Sequence, residues 1–190
     1  MRALRSRVDA VMVGAGTLRA EKLNLGLDDP DARQPLAVVV AGEGDVPITE
    51  RLVGLQRDVI VAAPEGSRRT PGSDGVPGVP LTVLETPRSG DGRADLRWLL
   101  GVLKSQHAVD RLLVEGGPTL NRSLIDEGLA QEVFLTISPK LLLGPESSIL
   151  SGNQGGDQDE PPTEPRDLKL LSVHSAGDEL FLRYRLRRHP

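Results

Sequence analysis

Cysteine is absent from this chain of 190 residues. That removes disulfides, thiolate metal sites and cysteine nucleophiles together, and it leaves the redox compartment unmarked. Aromatic side chains are nearly missing too, with one Trp, one Tyr and two Phe. The interior must therefore rest on Val, Leu, Ile and Ala, a composition that suits strands covered on both faces by helices. No apolar run approaches the roughly 20 residues of a membrane span. The basic start from Met1 to Arg7 is not followed by the apolar stretch of a signal peptide. A soluble, cytoplasmic protein is the expectation. A basic block is lacking as well, and the net charge is −4, so nothing supplies the electrostatic footprint of a nucleic-acid binder. Arginines between Arg183 and Arg188 alternate with Tyr184 and Leu186 and read as the wet face of a strand. His107, His174 and His189 are scattered and lack metal-ligand spacing.

What is present is a succession of short Val/Leu-rich runs, at 8–13, 36–40, 58–63, 81–84, 111–114 and 132–138. They are continuous rather than alternating, the pattern of interior strands. Two alternating runs close the chain near 167–175 and 179–187, flanking Ala176-Gly177-Asp178, a hairpin signal. Helical periodicity is legible from Ala94 to Gln106 through Leu96, Leu99, Leu100 and Leu103. It recurs from Pro118 to Glu127, with Pro118 suited to the first turn and Gly128 to the C-terminal cap. Segments 65–80 and 151–166 are rich in Pro, Gly, Ser or acidic residues and read as mobile loops. The whole predicts one α/β domain over 1–190, a mixed and mainly parallel sheet flanked by helices and finished by an antiparallel hairpin.

Two glycine-rich turns carry the chemistry. Val8–Val13 leads into Gly14-Ala15-Gly16-Thr17, and Leu112–Val114 leads into Glu115-Gly116-Gly117-Pro118-Thr119-Leu120. A buried strand opening onto glycines and a helix brings bare N–H groups up to phosphate oxygens. The strand end at Val114 puts Glu115 on the carboxyl edge of the sheet, where open α/β folds bind ligands. A plain tight turn with a solvated Glu is the alternative for the second motif, and a plain strand exit for the first. Arg68 and Arg69 read first as a solvated loop pair, with a nucleotide 2′-phosphate the lesser alternative.

The run Ser6-Arg7-Val8-Asp9-Ala10-Val11-Met12-Val13-Gly14-Ala15-Gly16-Thr17-Leu18-Arg19-Ala20-Glu21 resembles the start of the NADPH-binding core of the riboflavin-biosynthesis pyrimidine reductases. Leu113 to Leu120, Gly128 to Val133, Ser138 to Gly144 and Leu180 to Tyr184 are similar to that family in order and spacing. The resemblance implies a dihydrofolate-reductase-like fold and a homodimer. It also implies hydride transfer from NADPH to C1′ of a ribosylamino-pyrimidine 5′-phosphate, giving the ribitylamino product. By the same resemblance, Gly14, Gly16, Thr17 and Glu21 fall on the cofactor side. Gly116, Gly117, Pro118, Thr119, Leu120, Asn121, Arg122 and Ser123 fall on its phosphate-binding turn and helix start. Glu115, Arg5 and Leu25 fall at the substrate, with Glu115 expected on ribose hydroxyls and Arg5 on the phosphate. The family pattern carries a Ser-x-Asp-Gly strand ahead of the first matched residue and an arginine where this chain has Asp28, so an N-terminally truncated member is expected. The alternative reading is a non-catalytic nucleotide-binding or assembly protein that kept the cofactor cleft.

Overall fold

The computed structural model describes residues 2–21, 24–42, 46, 48, 52, 58–67, 81–141, 149–150 and 165–187. Strands buried on both faces need unbroken apolar stretches, and the early runs of this chain fold accordingly. They form β1 (Ala10–Gly14), β2 (Leu36–Val40), β3 (Val59–Pro64), β4 (Leu81–Thr86) and β5 (Leu112–Val114). All pair in parallel, in the order β4-β3-β2-β1-β5. Every residue of β3 is buried, whereas the edge strand β4 leaves Val83 48% exposed. The core on this sheet gathers Val11, Val13, Val39, Val61, Leu25 and Leu52.

The chain divides into two compact units, residues 1–121 and 122–190. In the first, short helix α1 (Arg2–Arg5) precedes β1, and α2 (Ala15–Ala20) follows it directly. Helix α3 (Leu96–His107) buries Leu96, Leu99, Val102 and Leu103, so Val102 takes the place in the predicted stripe of Leu100, which is only half-buried. Asp95 caps it, its Oδ1 accepting the Trp98 N–H at 2.8 Å. Asp9 Oδ2 accepts the amides of Asp110 (3.1 Å) and Arg111 (2.9 Å), clamping the starts of β1 and β5 together. Helix α4 (Pro118–Asp126) begins at its proline and ends where the Gly128 amide, at φ 66°, donates to Ile125 O.

The second unit holds β6 (Glu132–Ile137), β7 (Leu168–Ala176) and β8 (Glu179–Leu186), an antiparallel sheet in the order β6-β8-β7. Gly177 at φ 58° opens the two-residue turn of the β7–β8 hairpin, as such turns require. The hairpin strands pair with each other and with β6, so the antiparallel part is a sheet of its own among the described residues. Alternation sorts its two faces. Val133, Leu135, Ile137, Leu180, Leu182 and Tyr184 share one face, and Glu132, Phe134, Arg183 and Arg185 share the other. Glu132 joins both arginines, at 2.6 Å to Arg183 and 3.1 Å to Arg185, and the Arg183 guanidinium lies 5.5 Å from the Phe134 ring centroid. Arg68, Arg69, His189, and most of the segments 65–80 and 151–166 expected as loops, lie outside the described residues.

Candidate active site

The strand order decides where a ligand meets this sheet. From β1 the chain builds outward through β2, β3 and β4, then returns to the other side of β1 with β5. The reversal point lies between β1 and β5, and ligands of open α/β sheets bind beyond the carboxyl ends at such a point. Gly14 closes β1 and Glu115 follows β5 there, with the Glu115 amide donating to Met12 O at 2.9 Å. The Gly14 amide donates to Gly116 O at 2.8 Å. The two glycine motifs, about a hundred residues apart in sequence, thus touch through their backbones.

Each glycine answers a different demand. Gly116 sits at φ 94°, a region side chains avoid. The Gly116–Gly117 peptide is cis. A Cβ on Gly117 would stand 2.5 Å from Thr17 Oγ1, so the second turn and helix α2 interlock there. A Cβ on Gly14 would reach Gly117 N at 3.4 Å. The first motif differs from the expected turn. Gly14, at φ −75° and ψ 141°, is the N-cap of α2, which places Gly16 and Thr17 inside the helix. Gly16 is exposed, Thr17 is half-buried, and exposed Glu21 closes the helix with its amide on Thr17 O.

Of the residues expected at the helix start, Pro118 and Thr119 are exposed. The Leu120 side chain is buried, and the Asn121 amide donates to Gly117 O at 2.9 Å. Arg122 pairs along the helix with Asp126, and Ser123 O accepts the Glu127 amide. The amides of Thr119 and Leu120 belong to the first turn, which has no acceptors inside the helix. No acidic residue stands in that turn. Bare glycine backbone, an open helix start and an exposed hydroxyl suit a phosphate-bearing cofactor.

The edge around Glu115 is organised by a contact that the sequence does not announce. Arg5 Nε donates to Glu115 Oε1 at 2.6 Å, and its Nη2 to Oε2 at 2.5 Å. Its Nη1 donates to the carbonyls of Asn24 (2.5 Å) and Gly26 (3.0 Å). The side chains are only 12% and 7% exposed. Leu25, between those carbonyls, is fully buried in the core and anchors the segment by its side chain. Asn24 Oδ1 accepts the Gly26 amide and Gln34 Oε1 the Leu27 amide. Asp28 is exposed. Nothing local in the sequence signals that two opposite charges 110 positions apart will meet.

The RibD C-terminal domain family matches residues 1–182, and the chain belongs to that family. It is 28% identical to a 2,5-diamino-6-ribosylamino-4(3H)-pyrimidinone 5′-phosphate reductase of Methanothermobacter thermautotrophicus, over 97% of this chain and 82% of that one. The Archaeoglobus fulgidus protein of the same name is 34% identical, over 76% of this chain and 68% of its own. The riboflavin biosynthesis protein RibD of Actinobacillus pleuropneumoniae is 29% identical over 95% of this chain. The chain spans about half of that protein's length, 46%. Among solved structures, Acinetobacter baumannii RibD has the same fold, with a TM-score of 0.76 at 21% identity, covering 98% of this chain and 49% of that one. Among the described residues no helix is long and apolar enough to cross a membrane.

Proposed function

We propose that this chain is an NADPH-dependent reductase of riboflavin biosynthesis, acting in the cytoplasm on a ribosylamino-pyrimidine 5′-phosphate. The single observation that carries this reading is the meeting of Gly14 with Glu115-Gly116-Gly117 at the point where the strand order reverses. The names of the archaeal relatives support the same reaction. When bound, the nicotinamide supplies a hydride to C1′ of the opened ribosylamine. The protein's part is to hold that carbon against it.

In this reading Gly14, Gly16, Thr17, Glu21 and the stretch from Gly116 to Ser123 form the cofactor side. The first-turn amides of α4 meet the phosphates with the positive end of the helix dipole. Glu115 orients ribose hydroxyls by accepting their hydrogen bonds. Arg5 and Leu25 shape the same edge, the first through its pairing with Glu115 and the second by anchoring its loop. Fluorescence titration with NADPH, followed by oxidation in the presence of the ribosylamino-pyrimidine phosphate, tests the reading. Binding with turnover supports it, and binding without oxidation favours the nucleotide-binding alternative. The exposed apolar side chains Ile137, Leu168, Leu170, Val173 and Leu180, 41–50% accessible, support a homodimer through the second unit's sheet.

A further inference from the structure

We propose that Arg5 is a positioning residue, locking the Glu115 carboxylate and the 24–26 loop into one rigid edge rather than holding the substrate's phosphate itself. The inference rests on the reading of Glu115 as the substrate-facing carboxylate.

The guanidinium has spent its fork. Nε and Nη2 grip the two oxygens of Glu115 in the bidentate geometry that arginine forms with carboxylates. Nη1 is committed to Asn24 O and Gly26 O. All but one of the N–H donors of the side chain are thereby used. A phosphate taking the same two-pronged grip would have to displace Glu115 and leave a carboxylate 7% exposed without its counter-charge. Stripping one partner from a buried pair is strongly unfavourable.

The pair also solves a problem of charge. A lone carboxylate beside the phosphate-binding turn would repel an anionic ligand. With Arg5 across both oxygens, Glu115 keeps free lone pairs for hydroxyl donors while its charge is balanced. The same guanidinium reaches three segments: the end of α1, the residue after β5, and the loop after α2. Leu25 pins that loop to the core from below. Lysine, a single point charge, cannot span a carboxylate and two carbonyls at once.

The experiment uses the whole chain and the variants R5K, E115Q and their combination. Hydrogen exchange is followed at the amides of Gly26 and Leu27 and at Glu115. Faster exchange at Gly26 and Leu27 in E115Q is expected, because that substitution reaches the loop only through Arg5. Unchanged exchange there in both single variants overturns the proposal, and this readout needs neither NADPH nor turnover. In steady-state assays R5K should lower kcat by about tenfold or more, with KM for the phosphorylated substrate within about twofold. The double variant should be no slower than E115Q. A raised KM with kcat retained, and losses that multiply in the double variant, would assign Arg5 to the phosphate instead. Wild-type protein that never oxidises NADPH with this substrate defeats the functional reading alone, and the exchange measurement still decides the role of Arg5. Should R5K fail to fold, E115Q carries the exchange test by itself.

Discussion

Thr17 and Gly117 belong to different glycine motifs, yet they fit together as one piece. The position of a Gly117 Cβ lies 2.5 Å from Thr17 Oγ1, far inside contact distance. Gly117→Ala should therefore destabilise the protein by about 1–3 kcal/mol through overpacking. Thr17→Ala, which removes that hydroxyl and leaves only Thr17 Cβ at 3.8 Å, should restore most of the loss in the double variant. Chemical denaturation of the four proteins reads this directly, and simple additivity would contradict the interlock. At the proposed substrate edge, Glu115→Gln should cut turnover by about tenfold or more while NADPH affinity stays within about twofold. Equal losses in both would remove Glu115 from the substrate side.

Elements form here for reasons largely local, and their ends are set by identifiable residues. Asp95 is the cap of α3, so Asp95→Ala should lower stability by about 1 kcal/mol. A urea midpoint unchanged by that substitution would show the cap to be redundant. The strands, the α3 stripe, the proline start and glycine end of α4, and the hairpin at Gly177 were all legible in sequence, because each depends on periodicity or on one residue's backbone preference. Helix α2 was not, because Gly14-Ala15-Gly16 reads as a turn, whereas in the fold α2 buries Ala15 and Leu18. The short α1, a single turn over Arg2–Arg5, is too brief to show a helical period in sequence. Its value lies in delivering Arg5, a long-range matter.

At the scale of the molecule, three carboxylates among the described residues link folding to acid. The Arg111 amide chiefly holds Asp9 below the ordinary carboxylate range, with the Asp110 amide and the charges of Arg111 and Arg33 adding to it against some desolvation. Desolvation works to raise Glu132, but hydrogen bonds and charge from Arg183 and Arg185 outweigh it. Asp91 is likewise lowered, the Ser89 hydroxyl and Arg93 amide overcoming desolvation. Each group binds its proton more weakly when folded, so its stabilisation is complete above the unfolded value of about 4 and is lost as pH falls through the folded one. Stability measured from pH 6 down to pH 2 should drop in that acid range, and a flat profile would refute the linkage. The exposed apolar face makes a second prediction. Leu170→Glu should convert a homodimer to monomer in sedimentation, and a wild-type monomer at micromolar concentration would defeat the dimer.

By itself the sequence determined the class of fold, the strands and longer helices, and the two glycine motifs, because hydrophobic period and backbone permissiveness are local properties. Tertiary structure alone decided that β5 returns beside β1, since strand order is a choice among pairings that equally apolar strands leave open. That choice brings Gly14 against Gly116 and gives Glu115 its arginine. It also sent Leu25 into the core, a fate its resemblance to a substrate-loop leucine did not disclose. Contacts made 110 residues apart are written in no local pattern.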